Sequence, residues 1–149
     1  MTDVAFYQLS KPLDAVLPRL LDKALAAGHR VVVSAADPAL LKRLDVALWT
    51  YEPASFLPHA TDGEQAAQQP VLLTASAAVP ANNARMLAVV DGIMPDDPAA
   101  FDRLLYLFDG DDPAALAAAR EQWRRLKAQD GLTASYWRET DAGRWEQAA

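Results

Sequence analysis

The sequence predicts an α/β fold: a single domain built on a mostly parallel, Rossmann-like sheet with helices on both faces and no nucleotide-binding loop. Three observations carry this. Short apolar or β-branched runs alternate with segments of helical periodicity along the chain. The pair Asp-Pro recurs at Asp37-Pro38, Asp97-Pro98 and Asp112-Pro113, each ahead of a helical pattern. Aspartate caps a helix and proline fits its first position, so each pair is expected to open one. Finally, 149 residues, 52% of them hydrophobic and 23% charged, suit a single core of ordinary composition.

Val4 to Leu9 reads as a first strand, apolar on both sides and therefore internal to the sheet. Leu13, Val16, Leu17, Leu20, Leu21, Ala24 and Leu25 then follow the spacing of a helix laid on a sheet, which Gly28 ends. Pro18 falls inside this pattern, where it removes a backbone donor and crowds the preceding turn. Arg30 to Ser34 is a second strand. A helix from Pro38 to about Trp49 turns Leu40, Leu41, Leu44 and Leu48 inward. Tyr51 to Gln69, with Pro53, Pro58 and Gly63, reads as a long irregular connection. Further strands are expected at Val71 to Ala75, Met86 to Val90 and Leu104 to Phe108, with a short helix over Ala99 to Arg103. Pro113 to Gln129 is the last helix and Leu132 to Arg138 the last strand. The domain thus spans residues 1–140, and 141–149 reads as a frayed tail anchored by Trp145.

The totals narrow the function. With 14 Lys+Arg against 20 Asp+Glu and a net charge of −6, the chain lacks the broad basic face that phosphate backbones require, so direct nucleic-acid binding is not expected. The absence of cysteine rules out disulfides, thiolate metal sites and a cysteine nucleophile, and fits a reducing compartment. No signal-peptide pattern or bilayer-length apolar run occurs, so a cytoplasmic protein without membrane contact is expected.

The chain carries no recognisable catalytic pattern. The six glycines make no G-x-G-x-x-G and no Walker loop, and Ser10-Lys11-Pro12-Leu13 after the first strand imitates neither. Asp109-Gly110-Asp111-Asp112 offers carboxylates of the kind that hold magnesium, but turn and cap roles account for the same residues. His59, near Asp62 and Glu64, and His29 have no partner at diagnostic spacing. No cofactor, metal or enzymatic activity is expected. The alternative from the enzyme class, a small nucleotide-utilising or metal-dependent phosphotransferase, rests on fold analogy alone.

One segment departs from the acidic background. Arg120, Arg124, Arg125 and Lys127 face only Glu121 within Arg120 to Lys127. On a helix, Arg120, Arg124 and Lys127 share one stripe, and Leu116, Ala119, Trp123 and Leu126 form an apolar stripe beside it. A cationic ridge next to an indole suits an acidic ligand with an apolar end. Solvated cations complementing the helix dipole are the structural alternative.

Arg43-Leu44-Asp45-Val46-Ala47-Leu48-Trp49, followed by Ser55-Phe56-Leu57-Pro58-His59, resembles the chi subunit of bacterial DNA polymerase III. The likeness extends to Phe6-Tyr7 in the first strand, the Val-rich second strand and the helix containing Ala119-Arg120-Glu121; residues 60–78 and the tail after Trp137 match poorly. The resemblance implies a non-catalytic accessory subunit that links the clamp loader, through its psi subunit, to the acidic, Phe-ending C-terminal tail of single-stranded DNA-binding protein. It places Arg120, Trp123, Arg124 and Lys127 at the tail site, with Trp123 and Arg124 where the family carries Tyr and Lys. It places Trp49 and Phe56 on the surface for psi or for a helicase partner, although core packing is the structural alternative for both.

Overall fold

The computed structural model describes residues 2–50, 59–61, 70–75, 82–142 and 144–148. In order, its elements are β1 (Thr2–Leu9), α1 (Leu13–Ala26), β2 (Val31–Ser34), α2 (Pro38–Thr50), β3 (His59–Thr61), β4 (Val71–Thr74), β5 (Met86–Val89), a 3-10 turn over Pro98–Ala100, β6 (Arg103–Asp109), α3 (Pro113–Lys127), β7 (Leu132–Glu139) and β8 (Trp145–Gln147). Among the described residues the strands form one sheet in the order β3-β4-β2-β5-β6-β1-β7-β8. All neighbours pair in parallel except β7 and β8.

The period of two along each strand divides the core between the two faces. Ala5, Leu9, Val31, Val33, Leu73, Ala88, Leu105 and Leu107 point to the side covered by α1 and α2. Val4, Phe6, Val32, Leu72, Leu87, Leu104, Tyr106 and Phe108 point to the side where Ala119 and Leu126 of α3 are buried. β1 lies between β6 and β7 and is covered on both faces, which is why its sequence is apolar at consecutive positions. Phe6 is fully buried, and its replacement by alanine is expected to cost about 3–5 kcal/mol in lost contacts and cavity.

The Asp-Pro pairs act as the sequence predicts at two of three places. Asp37 Oδ1 accepts from Ala39 N at 2.9 Å and Asp112 Oδ1 from Ala114 N at 3.0 Å, opening α2 and α3. Asp97 makes no side-chain cap, and Pro98 begins only the 3-10 turn, three residues before buried Phe101 pulls the chain into β6. Pro18 is buried inside α1, and the helix continues through it without a break.

Two expectations need correction. Within the supposed irregular connection, His59–Thr61 pairs with β4 as an edge strand, the rest of residues 51–69 lying outside the described residues. Nor are residues 141–149 simply a frayed tail, because Trp145–Gln147 pairs antiparallel with β7. Packing explains this: the Trp145 ring stands edge-on against Tyr7, with centroids 4.9 Å apart, so the strand carries its own apolar anchor.

Candidate functional site

The face beneath α3 is organised by strand register. β1 sets Phe6 beside Tyr106 on one side and Tyr136 on the other, and the alternation turns all three rings towards α3. Phe6 lies 4.9 Å from Tyr106 and stacks at 6.4 Å on Tyr136, the two planes 8° apart. Trp123 descends from the helix onto this floor. Its ring meets Phe6 at 5.6 Å and Tyr136 at 5.8 Å, edge-on in both cases. The indole is therefore half-buried and held from below, with its remaining surface open between the cations of the helix.

Around this ring the charges are unequal. Lys127 Nζ sits 4.8 Å from the Trp123 centroid, a cation–π contact. Arg120 lies close enough to the Tyr136 hydroxyl to influence its ionisation, as does Arg138 of β7. Burial raises the Tyr136 pKa above that of an ordinary phenol, and the two arginines pull it back. The phenol donates to Gln8 Oε1 at 2.6 Å. Gly110 keeps that acceptor in place, since a side chain there would come within 2.6 Å of Gln8 Cγ. Arg124 is partly engaged: its Nη1 lies 3.3 Å from Glu121 Oε2, and Arg125 Nε lies 3.3 Å from the other oxygen. Among the described residues Arg120, Lys127 and Arg138 have no carboxylate partner, so they hold the available positive charge.

The structure thus brings Arg120, Trp123 and Lys127 together, leaves Arg124 beside them in an exposed ion pair, and adds Tyr136 and Arg138. The signal for the added pair lies in strand alternation, which puts both on the face that β7 shows to α3. Asp109 and Asp112, candidates for a metal in the sequence, accept from backbone N–H groups in the turn and cap before α3. Among the described residues no group of three His, Cys, Asp or Glu is placed to hold a metal.

The second predicted surface lies at the end of α2. Trp49 is 58% exposed, which sets core packing aside for it, and Val46 one turn earlier is 54% exposed. The Trp49 ring lies 4.9 Å from that of His59. His59 is buried, and its Nε2 lies 2.9 Å from Asp45 Oδ1, one helical turn before Trp49, so this histidine ties β3 to α2. Phe56 lies outside the described residues.

A nucleotide-binding Rossmann fold offers the N–H groups of its first strand-to-helix turn to phosphate. Here Glu139, at the end of β7 and 8% exposed, occupies those donors: its Oε1 accepts from Ser10 N at 2.9 Å, Ser10 Oγ at 3.1 Å and Lys11 N at 3.1 Å.

Residues 1–134 match the family described as DNA polymerase III chi subunit, HolC. The chain belongs to this family. It is 31% identical over 138 residues to the DNA polymerase III subunit chi of Pseudomonas aeruginosa strain PAO1, an alignment covering 87% of this chain and 92% of that protein. The resemblance seen in the sequence is thereby established, and the chi family is an accessory component of the polymerase, not a catalytic one. The phosphotransferase alternative is set aside on that ground. Among the described residues no helix is long and apolar enough to cross a membrane.

Proposed function

We propose that this chi-family chain tethers the clamp loader, through a psi-type subunit, to the acidic C-terminal tail of single-stranded DNA-binding protein, working in the cytoplasm and touching that protein rather than the DNA it coats. The observation that supports this reading is the half-buried Trp123, backed by Phe6 and Tyr136, with Lys127 over its ring and Arg120 and Arg138 acting on the neighbouring Tyr136. An acidic tail ending in phenylalanine offers carboxylates to the cations and an aromatic side chain to the indole. The exposed Val46 and Trp49 give the psi-type partner an apolar anchor on the other side of the sheet, a surface to which the family resemblance also assigns Phe56. Two separate surfaces are what a tether requires, and several tails on one coated strand would raise the effective concentration at a modest single-site affinity.

Titration calorimetry with an acidic peptide ending in phenylalanine tests the first contact. Binding that weakens with salt, and that is lost when the terminal phenylalanine is removed or when Trp123 and Lys127 are both replaced by alanine, is the expected result. A folded protein that ignores the peptide at low salt would remove this role from α3.

A further inference from the structure

On the opposite face of the sheet from α3, a groove of about 140 Å³ runs between α1 and the edge strand β8. We propose that it is a second binding site, taking a carboxylate-bearing segment of an acidic peptide. Its walls carry Lys11, Arg19 and Lys23 on one side and Trp145 on the other, with Leu20 and Glu139 between them. Among the described residues none of the three cations has a carboxylate partner. Glu139, the groove's own acid, accepts from Ser10 and from the Lys11 backbone, so its charge is already directed at those donors. The indole is fixed by its edge-on contact with Tyr7 and forms a rigid apolar wall, not a mobile side chain that would pay entropy to order.

The chemistry selects an acidic peptide over a nucleic acid. The cations converge on a groove with room for one or two side chains, whereas a phosphate backbone would need a basic stripe of greater length, and the chain as a whole is acidic. Trp145 lies beyond residues 1–134, the part that matches the family, so one wall of this site belongs to a segment the family match does not describe. Because the groove and the α3 surface lie on opposite faces, both can be filled at once.

The four tryptophan indole N–H resonances of the full chain provide the readout, that of Trp145 being identified by its loss in Trp145→Phe. The probe is an end-blocked peptide of alternating aspartate and alanine, titrated at low ionic strength into the wild type and into a variant with Arg120→Glu and Lys127→Glu. A shift of the Trp145 resonance in both, weakened about tenfold or more by Arg19→Glu or Lys23→Glu and suppressed by salt, is expected. An unmoved Trp145 resonance in the α3 variant, or a titration indifferent to both Arg19→Glu and Lys23→Glu, overturns the proposal. So does tighter binding of an oligothymidylate at the same resonance. The Trp123 resonance reports the α3 surface separately, so failure there and failure here are distinguishable.

Discussion

Trp49 and Trp123 each stand in the C-terminal half of a helix packed on the sheet, yet their surroundings differ in a way that decides what each can do. Trp123 is wedged edge-on between Phe6 and Tyr136, and its exposed surface lies among cations. Trp49 is 58% exposed and rests beside the ring of His59. The first is an indole held rigidly against the sheet, which suits the charged ligand proposed for it. The second belongs to an apolar patch with Val46, of the kind another protein covers. Stability and binding should therefore be coupled at Trp123 and separable at Trp49.

Paired alanine substitutions give the most direct way to break this comparison. Trp123→Ala is expected to cost about 2–3 kcal/mol of folding stability, below the range for a fully buried aromatic because the indole is only half-buried. It should abolish peptide binding at α3 as well. Trp49→Ala should change stability by less than about 1 kcal/mol while weakening a psi-type partner by 2 kcal/mol or more. Urea unfolding and calorimetry on both variants check this. A Trp49→Ala variant as unstable as Trp123→Ala would mean that the two residues do the same work.

Two carboxylate acceptors, one away from Trp49 and one within a helical turn of it, sharpen the contrast. Glu139→Ala removes the acceptor of two backbone N–H groups and a hydroxyl, and is expected to cost about 2 kcal/mol. Asp45→Ala takes the carboxylate from His59 and should cost about 1–2 kcal/mol, with a change in Trp49 fluorescence that Glu139→Ala does not produce. Equal Trp49 fluorescence changes in both variants would show that β3 and His59 do not support that tryptophan specifically.

How much of this was legible in the sequence follows from which interactions are local. Helical periodicity and the Asp-Pro caps are short-range, and the predicted α1, α2 and α3 agree with the structure to within a few residues. The cationic stripe of α3 needs only the pitch of a helix to be seen. Trp145–Gln147, by contrast, becomes a strand because Tyr7, far away in the chain, receives the indole. His59–Thr61 becomes one because β4 offers an edge, against the irregular reading its neighbouring prolines invite. Tyr136 and Arg138 join the α3 surface through the register of β1 with β7, and Arg124 is partly withdrawn from it by Glu121. No sequence window contains either fact.

Within the α3 surface the cations should rank. Lys127→Ala loses the contact with the Trp123 ring and is expected to weaken an acidic peptide by about 0.5–1 kcal/mol, more than Arg124→Ala, whose guanidinium already shares Glu121. Glu121→Gln should tighten binding slightly by releasing Arg124 and Arg125. Calorimetry at low salt resolves the order, and an Arg124→Ala loss larger than that of Lys127→Ala would place the ligand's carboxylate on the outer side of the helix.

The smallest effect is also the most local. Burial raises the Tyr136 pKa while Arg120 and Arg138 lower it, the burial effect being the larger. A phenol whose folded pKa lies above its unfolded value contributes stability that is complete below about pH 10 and is lost as the pH rises through the folded pKa. Removing one arginine with Arg120→Ala should move that pKa further up, so that the alkaline loss begins at the same pH but extends further and becomes larger. Absorbance titration of tyrosinate, with Tyr136→Phe to assign the step, measures it. If Arg120→Ala leaves the step in place or moves it down, the Arg120 guanidinium does not face the ring, and the available charge at Trp123 reduces to Lys127 and Arg138.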